Sequence, residues 1–297
     1  MRAAERGFLL LGSHLGDPER RPLTVPQLRT LARLVQASER PAGDQDLRIA
    51  DLTALGYGLE MAERIVTLLS QEQLLDRYLA GGERIGCQCV TRISEGYPPL
   101  LRKRLGLDAP ACLWAKGDIS LLAQPTVALV GSRELRDENR EFAETVGIQA
   151  AKQGYVLVSG NARGADRTAQ EACLAAGGQV ISVVADELYR QPARKNILYV
   201  SEDGFGEEFS SQRALSRNRV IHALGLKTFV AQSSLKTGGT WDGTVKNLRS
   251  GWSAVYACND GSEAMKLLEQ MGANLIGIDD LVSFYDLPKS EESLFDR

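Results

Sequence analysis

The chain has 297 residues, of which 43% are apolar and 25% charged, and its formal charge is −3. That composition fills a buried core and excludes a fibrous or disordered chain. The near-neutral balance excludes a surface that attracts polyanions everywhere, so any nucleic-acid site must be a local basic patch.

The first residues hold only a short apolar run, Phe8 to Leu11, too short for a signal core or a membrane span. A soluble cytoplasmic protein is the expectation. Leu28, Leu31, Leu34 and Val35 follow helical spacing after Thr24 and Pro26, a cap and first turn. A second helix begins near Leu59 and carries Ile65, Leu68 and Leu69. The Gly-Tyr-Gly turn before it gives this region the look of a sterile-alpha-motif or helix-hairpin-helix unit. Such hairpins either pack against partners or grip DNA backbones. The helical region is expected to span residues 1–85.

Residues 86–124 read as a lead-in segment, with strands at Cys89–Ile93 and Pro110–Trp114 and an extended turn at Tyr97–Pro99. The Gln124-Pro125 step reads as a junction. Five cysteines occur, and Cys112, Cys173 and Cys258 sit in apolar surroundings as buried thiols. Cys87 and Cys89 lack the second pair that a zinc site needs. His14 and His222 are the only histidines. No metal and no cofactor are expected.

From residue 125 strands and helices alternate. Strands are expected at 126–131, 155–160, 179–184, 197–201, 227–231 and 253–257. Helices are expected at about 138–152, 165–176, 212–224, 241–249 and 261–271. Continuous apolar strands in this order predict an α/β fold, an extended Rossmann-like, doubly wound and mainly parallel sheet over 125–286. An acidic tail, 287–297, follows.

In that fold ligands sit at the carboxyl ends of the strands. Two strands end there in loops that carry arginine: Gly131, Ser132, Arg133, and then Ser159, Gly160, Arg163, Gly164, Asp166. Each loop opens a helix, where free N–H groups and the helix dipole favour phosphate. Asp166 reads as the cap of its helix. Arg217, Asn218 and Arg219 precede another apolar helix. Arginines two apart diverge, so one faces the site while the other pairs internally. A third loop carries Lys236, Gly238, Gly239 and Thr240, and Trp241 beside it reads as a packing residue. Phe209 or Tyr189 is a candidate platform for a base. No GxGxxG is present, which argues against a dinucleotide.

The ordered series GSR (131–133), SGNARGAD (159–166), VSE (200–202), RNRVI (217–221) and KTGGT, with YPPLL upstream, resembles the DNA-processing protein A (DprA, or Smf) family. The resemblance spans about residues 50–280 and implies an extended Rossmann-like fold. It also implies binding of single-stranded DNA, a homodimer and loading of the RecA recombinase during natural transformation. Ala165 and Gln170 depart from the isoleucine and histidine of the family pattern, and Cys258 to Asp260 stand where a Pro-Gly turn is expected. The stretch from Pro192 to Ser201 is shortened, and no winged-helix domain follows, so a divergent member is expected. Two other readings use the same pocket. One is a sensor of a small nucleotide. The other is a nucleotide N-glycosidase, for which TGGTWDG (237–243) is a partial echo that supplies Asp242 in place of a glutamate.

Overall fold

The computed structural model describes residues 1–38 and 47–288. The acidic tail beyond Pro288 lies outside the described residues. Among the described residues the chain opens with α1 (Ala3–Gly12), α2 (Val25–Ala37), α3 (Ile49–Ala54), α4 (Leu59–Leu69) and α5 (Glu72–Arg84). Thr24 caps α2, accepting from the Gln27 N–H, while the Gln27 side chain bonds back to Thr24. The short apolar run at Phe8–Leu11 lies within α1, an amphipathic helix that the sequence did not announce. Leu11, Leu28, Leu31, Leu52, Ile65 and Leu68 form a small core of their own, whereas Leu9, Leu10 and Leu75 join the main core.

Next come β1 (Cys87–Thr91), α6 (Pro99–Leu105) and β2 (Cys112–Lys116). The expected extended turn at Tyr97–Pro99 is short, because Pro99 starts α6 at the position where a missing N–H costs nothing. Then follow β3 (Thr126–Val130), α7 (Asp137–Lys152), β4 (Val156–Ser159), α8 (Ala165–Ala175), β5 (Val180–Val183) and β6 (Ile197–Ser201). The chain continues through α9 (Ser211–Ser216), α10 (Asn218–Leu224), β7 (Lys227–Val230), α11 (Gly238–Ser250), β8 (Ala254–Cys258), α12 (Glu263–Gln270) and β9 (Asn274–Ile276). The helix expected over 212–224 breaks at Arg217, which separates α9 from α10. β9 is an addition to the expected strands.

The nine strands form one sheet in the order β1-β2-β6-β5-β4-β3-β7-β8-β9. From β6 to β9 all neighbours are parallel, and β1 and β2 are antiparallel. This is the α/β, Rossmann-like doubly wound sheet. Residues 86–124 are no linker to it. β2 pairs with β6 through Trp114–Ser201 and Lys116–Tyr199, so the segment extends the sheet itself. One face buries Phe142, Ala169 and Tyr256 under α7 and α8, and the other buries Leu101, Val220 and Met265 under α6, α10 and α12. The order reverses at β3, whose two neighbours, β4 and β7, lead the chain in opposite directions across the sheet. A crevice opens at the carboxyl ends of strands at such a reversal.

Candidate functional site

The crevice is a cavity of about 770 Å³ at the ends of β3, β4 and β7. Gly131, Ser132 and Arg133 line it from the β3 loop, Arg163 and Asp166 from the β4 loop. Arg217 and Asn218 line it from the α9–α10 break, and Gly238, Gly239 and Thr240 from the start of α11. The structure therefore brings together ten residues from loops more than a hundred positions apart. Arg133 is exposed, and Arg163 is 76% exposed, with its guanidinium 3.8 Å from the still more exposed Glu134. An exposed pair of that kind contributes little, so the arginine is available to a stronger anion.

The two arginine loops are locked to each other. The Ala165 N–H donates to the Ser132 carbonyl at 3.1 Å. Gly164, at φ 85° and ψ −130°, lets its backbone lie against Ser132 and Arg133. Gln232 fastens the β3 loop from below. Its carbonyl accepts the Ser132 N–H at 2.9 Å, and its side chain accepts the Arg136 N–H at 3.0 Å and donates to the Glu134 carbonyl at 3.2 Å. The Ser132 N–H is thus spent inside the protein and does not face a ligand. Nothing in the sequence marks Gln232 beyond its place just after β7.

Other expected site residues lie elsewhere. Ser159 and Gly160 are buried behind the cavity wall, and Gly164 is part of the loop contact. Lys236 is exposed on the loop after β7 and does not itself line the cavity, although Ser234 and Thr237 of the same loop do. Arg219 also points away, donating to Glu202 at 2.6 Å, so of the two diverging arginines only Arg217 faces the cavity. Burial pushes the Glu202 carboxyl up, against the pull of the Arg219 charge. Asp166 is not a cap, because Gly164 holds that position. Asp166 instead accepts the Ala162 N–H at 3.3 Å and lies 3.8 Å from the Arg217 guanidinium. Burial pushes its carboxyl above the usual range, against the Arg217 charge and the Ala162 N–H.

Of the two aromatic candidates, Phe209 is 54% exposed on the cavity wall, whereas Tyr189 lies apart, with Arg190 over its ring. Trp241 is buried in the core and packs there. Asp242 is exposed and does not line the cavity. At the start of α11, Thr237 makes no side-chain cap, so the first-turn N–H groups of a 13-residue helix open onto the cavity. Cavity, exposed arginines and uncapped helix end together concentrate positive potential at one place, which suits an anion.

A family model described as DNA recombination-mediator protein A matches residues 88–285. The chain belongs to this family. It is 33% identical over 192 residues to DNA processing protein DprA of Streptococcus pneumoniae, covering 60% of this chain and 68% of that protein. It is 28% identical over 245 residues to protein Smf of Escherichia coli, covering 76% of this chain and 63% of that one. The X-ray structure of DprA from S. pneumoniae shares the fold, with a TM-score of 0.71 at 24% identity over 95% of this chain and 98% of that chain. DprA from Helicobacter pylori, described for its single-stranded DNA binding mode, gives a TM-score of 0.55 at 24% identity, over 66% of this chain and 94% of that one.

This DprA-family chain accommodates its departures at Ala165, Gln170 and Asp260 inside the fold. Ala165 is fully buried, and its N–H forms the loop-to-loop bond. Gln170 is buried behind the β4 loop and donates to the Gly160 carbonyl. Asp260, in the expected Pro-Gly region, accepts from Asn139 at 2.8 Å and pairs with Arg136, fastening the start of α7. Among the described residues no helix is long and apolar enough to cross a membrane.

Proposed function

We propose that this chain is a single-stranded DNA-binding recombination mediator and that the cavity at the sheet reversal holds the DNA backbone. The observation that carries this reading is the convergence of Arg133, Arg163 and the open end of α11 on one cavity. Successive phosphates pair with the two exposed guanidiniums, and the uncapped N–H groups of α11 take a third. Phe209 offers a face on which a base stacks. Arg217 supplies positive potential from the cavity floor. Family membership supports a homodimer and the RecA recombinase as partners of the DNA-bound form.

The site is read as a binding site without bond-breaking chemistry. Glycosidic cleavage needs a free carboxylate beside the sugar. Asp242 stands outside the cavity, Asp166 is engaged by Ala162 and Arg217, and Glu134, the exposed carboxylate on the cavity wall, lies against the Arg163 guanidinium at 3.8 Å. A second reading, a sensor for a single nucleotide, draws on the cavity volume of about 770 Å³, which suits a small ligand.

Fluorescence anisotropy with a labelled oligonucleotide, titrated at several salt concentrations, tests the main reading. Arg133→Ala and Arg163→Ala each weaken binding by about tenfold and lower the salt slope by about 0.7 per lost phosphate contact. Unchanged affinity in both folded variants overturns it. A mononucleotide that displaces the oligonucleotide at equal concentration favours the sensor, and release of free base from a mononucleotide establishes the hydrolase. Molecular mass in solution decides the homodimer, and RecA filament formation on bound DNA decides the loading role.

A further inference from the structure

Gly160 ends β4 and starts the turn that presents Arg163. Its carbonyl points inward and is buried with two side-chain donors on it. One is the Gln170 amide, from the second turn of α8, and the other is the Ser182 hydroxyl of β5, at 3.2 Å. The two donors also touch each other, Gln170 Nε2 lying 3.4 Å from Ser182 Oγ. On the opposite side of Gly160 the Arg217 guanidinium and the Asp166 carboxylate occupy the space that a Cβ would take. Asp166 accepts the next N–H but one, that of Ala162, and Asn161 donates to Gln191 at 3.1 Å. The turn is thus held by side chains from α8, β5, the α9–α10 break and the segment between β5 and β6.

We propose that Gln170 is a positioning residue for the binding site. It does not line the cavity. By holding the Gly160 carbonyl it sets the direction in which the chain leaves β4, and hence where the Arg163 guanidinium stands relative to Arg133. A variant lacking the amide leaves the buried carbonyl only the Ser182 hydroxyl at 3.2 Å, and one lacking both donors carries the full cost of its lost hydration, so the peptide turns outward and the loop with it. The position is one at which the chain departs from the family pattern, and the departure preserves a donor. The effect on affinity rests on the DNA-binding reading above, but the effect on the turn does not.

The test uses the full chain. Gln170→Leu removes the donor at nearly constant volume, Ser182→Ala removes the weaker one, and the double variant removes both. Hydrogen exchange of the Asn161–Gly164 amides is read in the free protein, and oligonucleotide affinity by anisotropy. Gln170→Leu speeds exchange in the turn by about tenfold while α7 and β3 stay protected, and weakens binding by about tenfold. Ser182→Ala has a smaller effect of the same kind, and the double variant exceeds either. Unchanged turn exchange in folded Gln170→Leu overturns the proposal. Faster turn exchange with unchanged affinity also overturns it, because the turn would then not position the site. If Gln170→Leu does not fold, Ser182→Ala decides by the same two readouts. If the parent protein binds no oligonucleotide, the functional reading fails, and turn exchange alone decides the role of Gln170.

Discussion

Gly164→Ala probes the contact that joins the two arginine loops. The new Cβ would stand 2.4 Å from the Arg133 carbonyl oxygen and 2.5 Å from that of Ser132, both rigid backbone atoms. Ordinary contact requires the loops to part by about 1 Å. That movement breaks the 3.1 Å bond from the Ala165 N–H to the Ser132 carbonyl, a loss of about 1 kcal/mol. The backbone of residue 164, at φ 85° and ψ −130°, adds strain for any side chain, about 2 kcal/mol. The expected loss is about 3 kcal/mol of unfolding free energy. Urea denaturation followed by circular dichroism measures it. Oligonucleotide anisotropy on the folded variant should show a matching loss of affinity, since Arg133 and Arg163 move apart. A stability change under about 0.5 kcal/mol with unchanged affinity would refute the loop-to-loop coupling.

Two further outcomes concern buried polar groups outside the cavity. Arg219→Ala strands the Glu202 carboxyl, whose only described cation is Arg219 at 2.6 Å. Stability should fall by about 3 kcal/mol, while the folded fraction binds oligonucleotide as the parent does; a large loss of affinity would instead put Arg219 in the binding site. His222 is fully buried, and burial lowers its pKa from 6.5 to about 3. Below pH 6.5 the unfolded chain takes up a proton that the folded chain refuses, so stability falls with pH. The deficit reaches about 2 kcal/mol at pH 5. His222→Gln should lose less stability than the parent between pH 7.5 and pH 5 in urea titrations, and parallel pH profiles would exclude this role.

Much of the fold is readable because its signals are local. Continuous apolar runs at 126–130, 156–159 and 180–183 are strands buried on both faces, and they stand where such runs predict them. Elements whose identity depends on distant partners are less readable. α1 takes its stability from Leu9 and Leu10 packed into the main core, and β1 and β2 from antiparallel pairing at the sheet edge. Neither partner is visible in a short window, so α1 carries no signal of its own, and β1 and β2 lie two residues from the positions that the local pattern predicts. The break at Arg217 is equally non-local, since the residue that interrupts the helix is held by Asp166 of α8.

The site divides in the same way. From the sequence by itself come the strand-loop-helix units, the arginines in their loops and the resemblance that the family match sustains. Those features depend on neighbours a few residues apart. The tertiary structure alone decides that Arg217 faces the cavity while Arg219 pairs with Glu202, and that Asp166 holds a turn instead of capping a helix. It also reveals Gln232 and Gln170 as the fasteners of the two loops. These are questions of direction and of partners across the sheet reversal. Chain spacing cannot encode them, because strands adjacent in the sheet, such as β3 and β7, are separated by most of the domain's sequence.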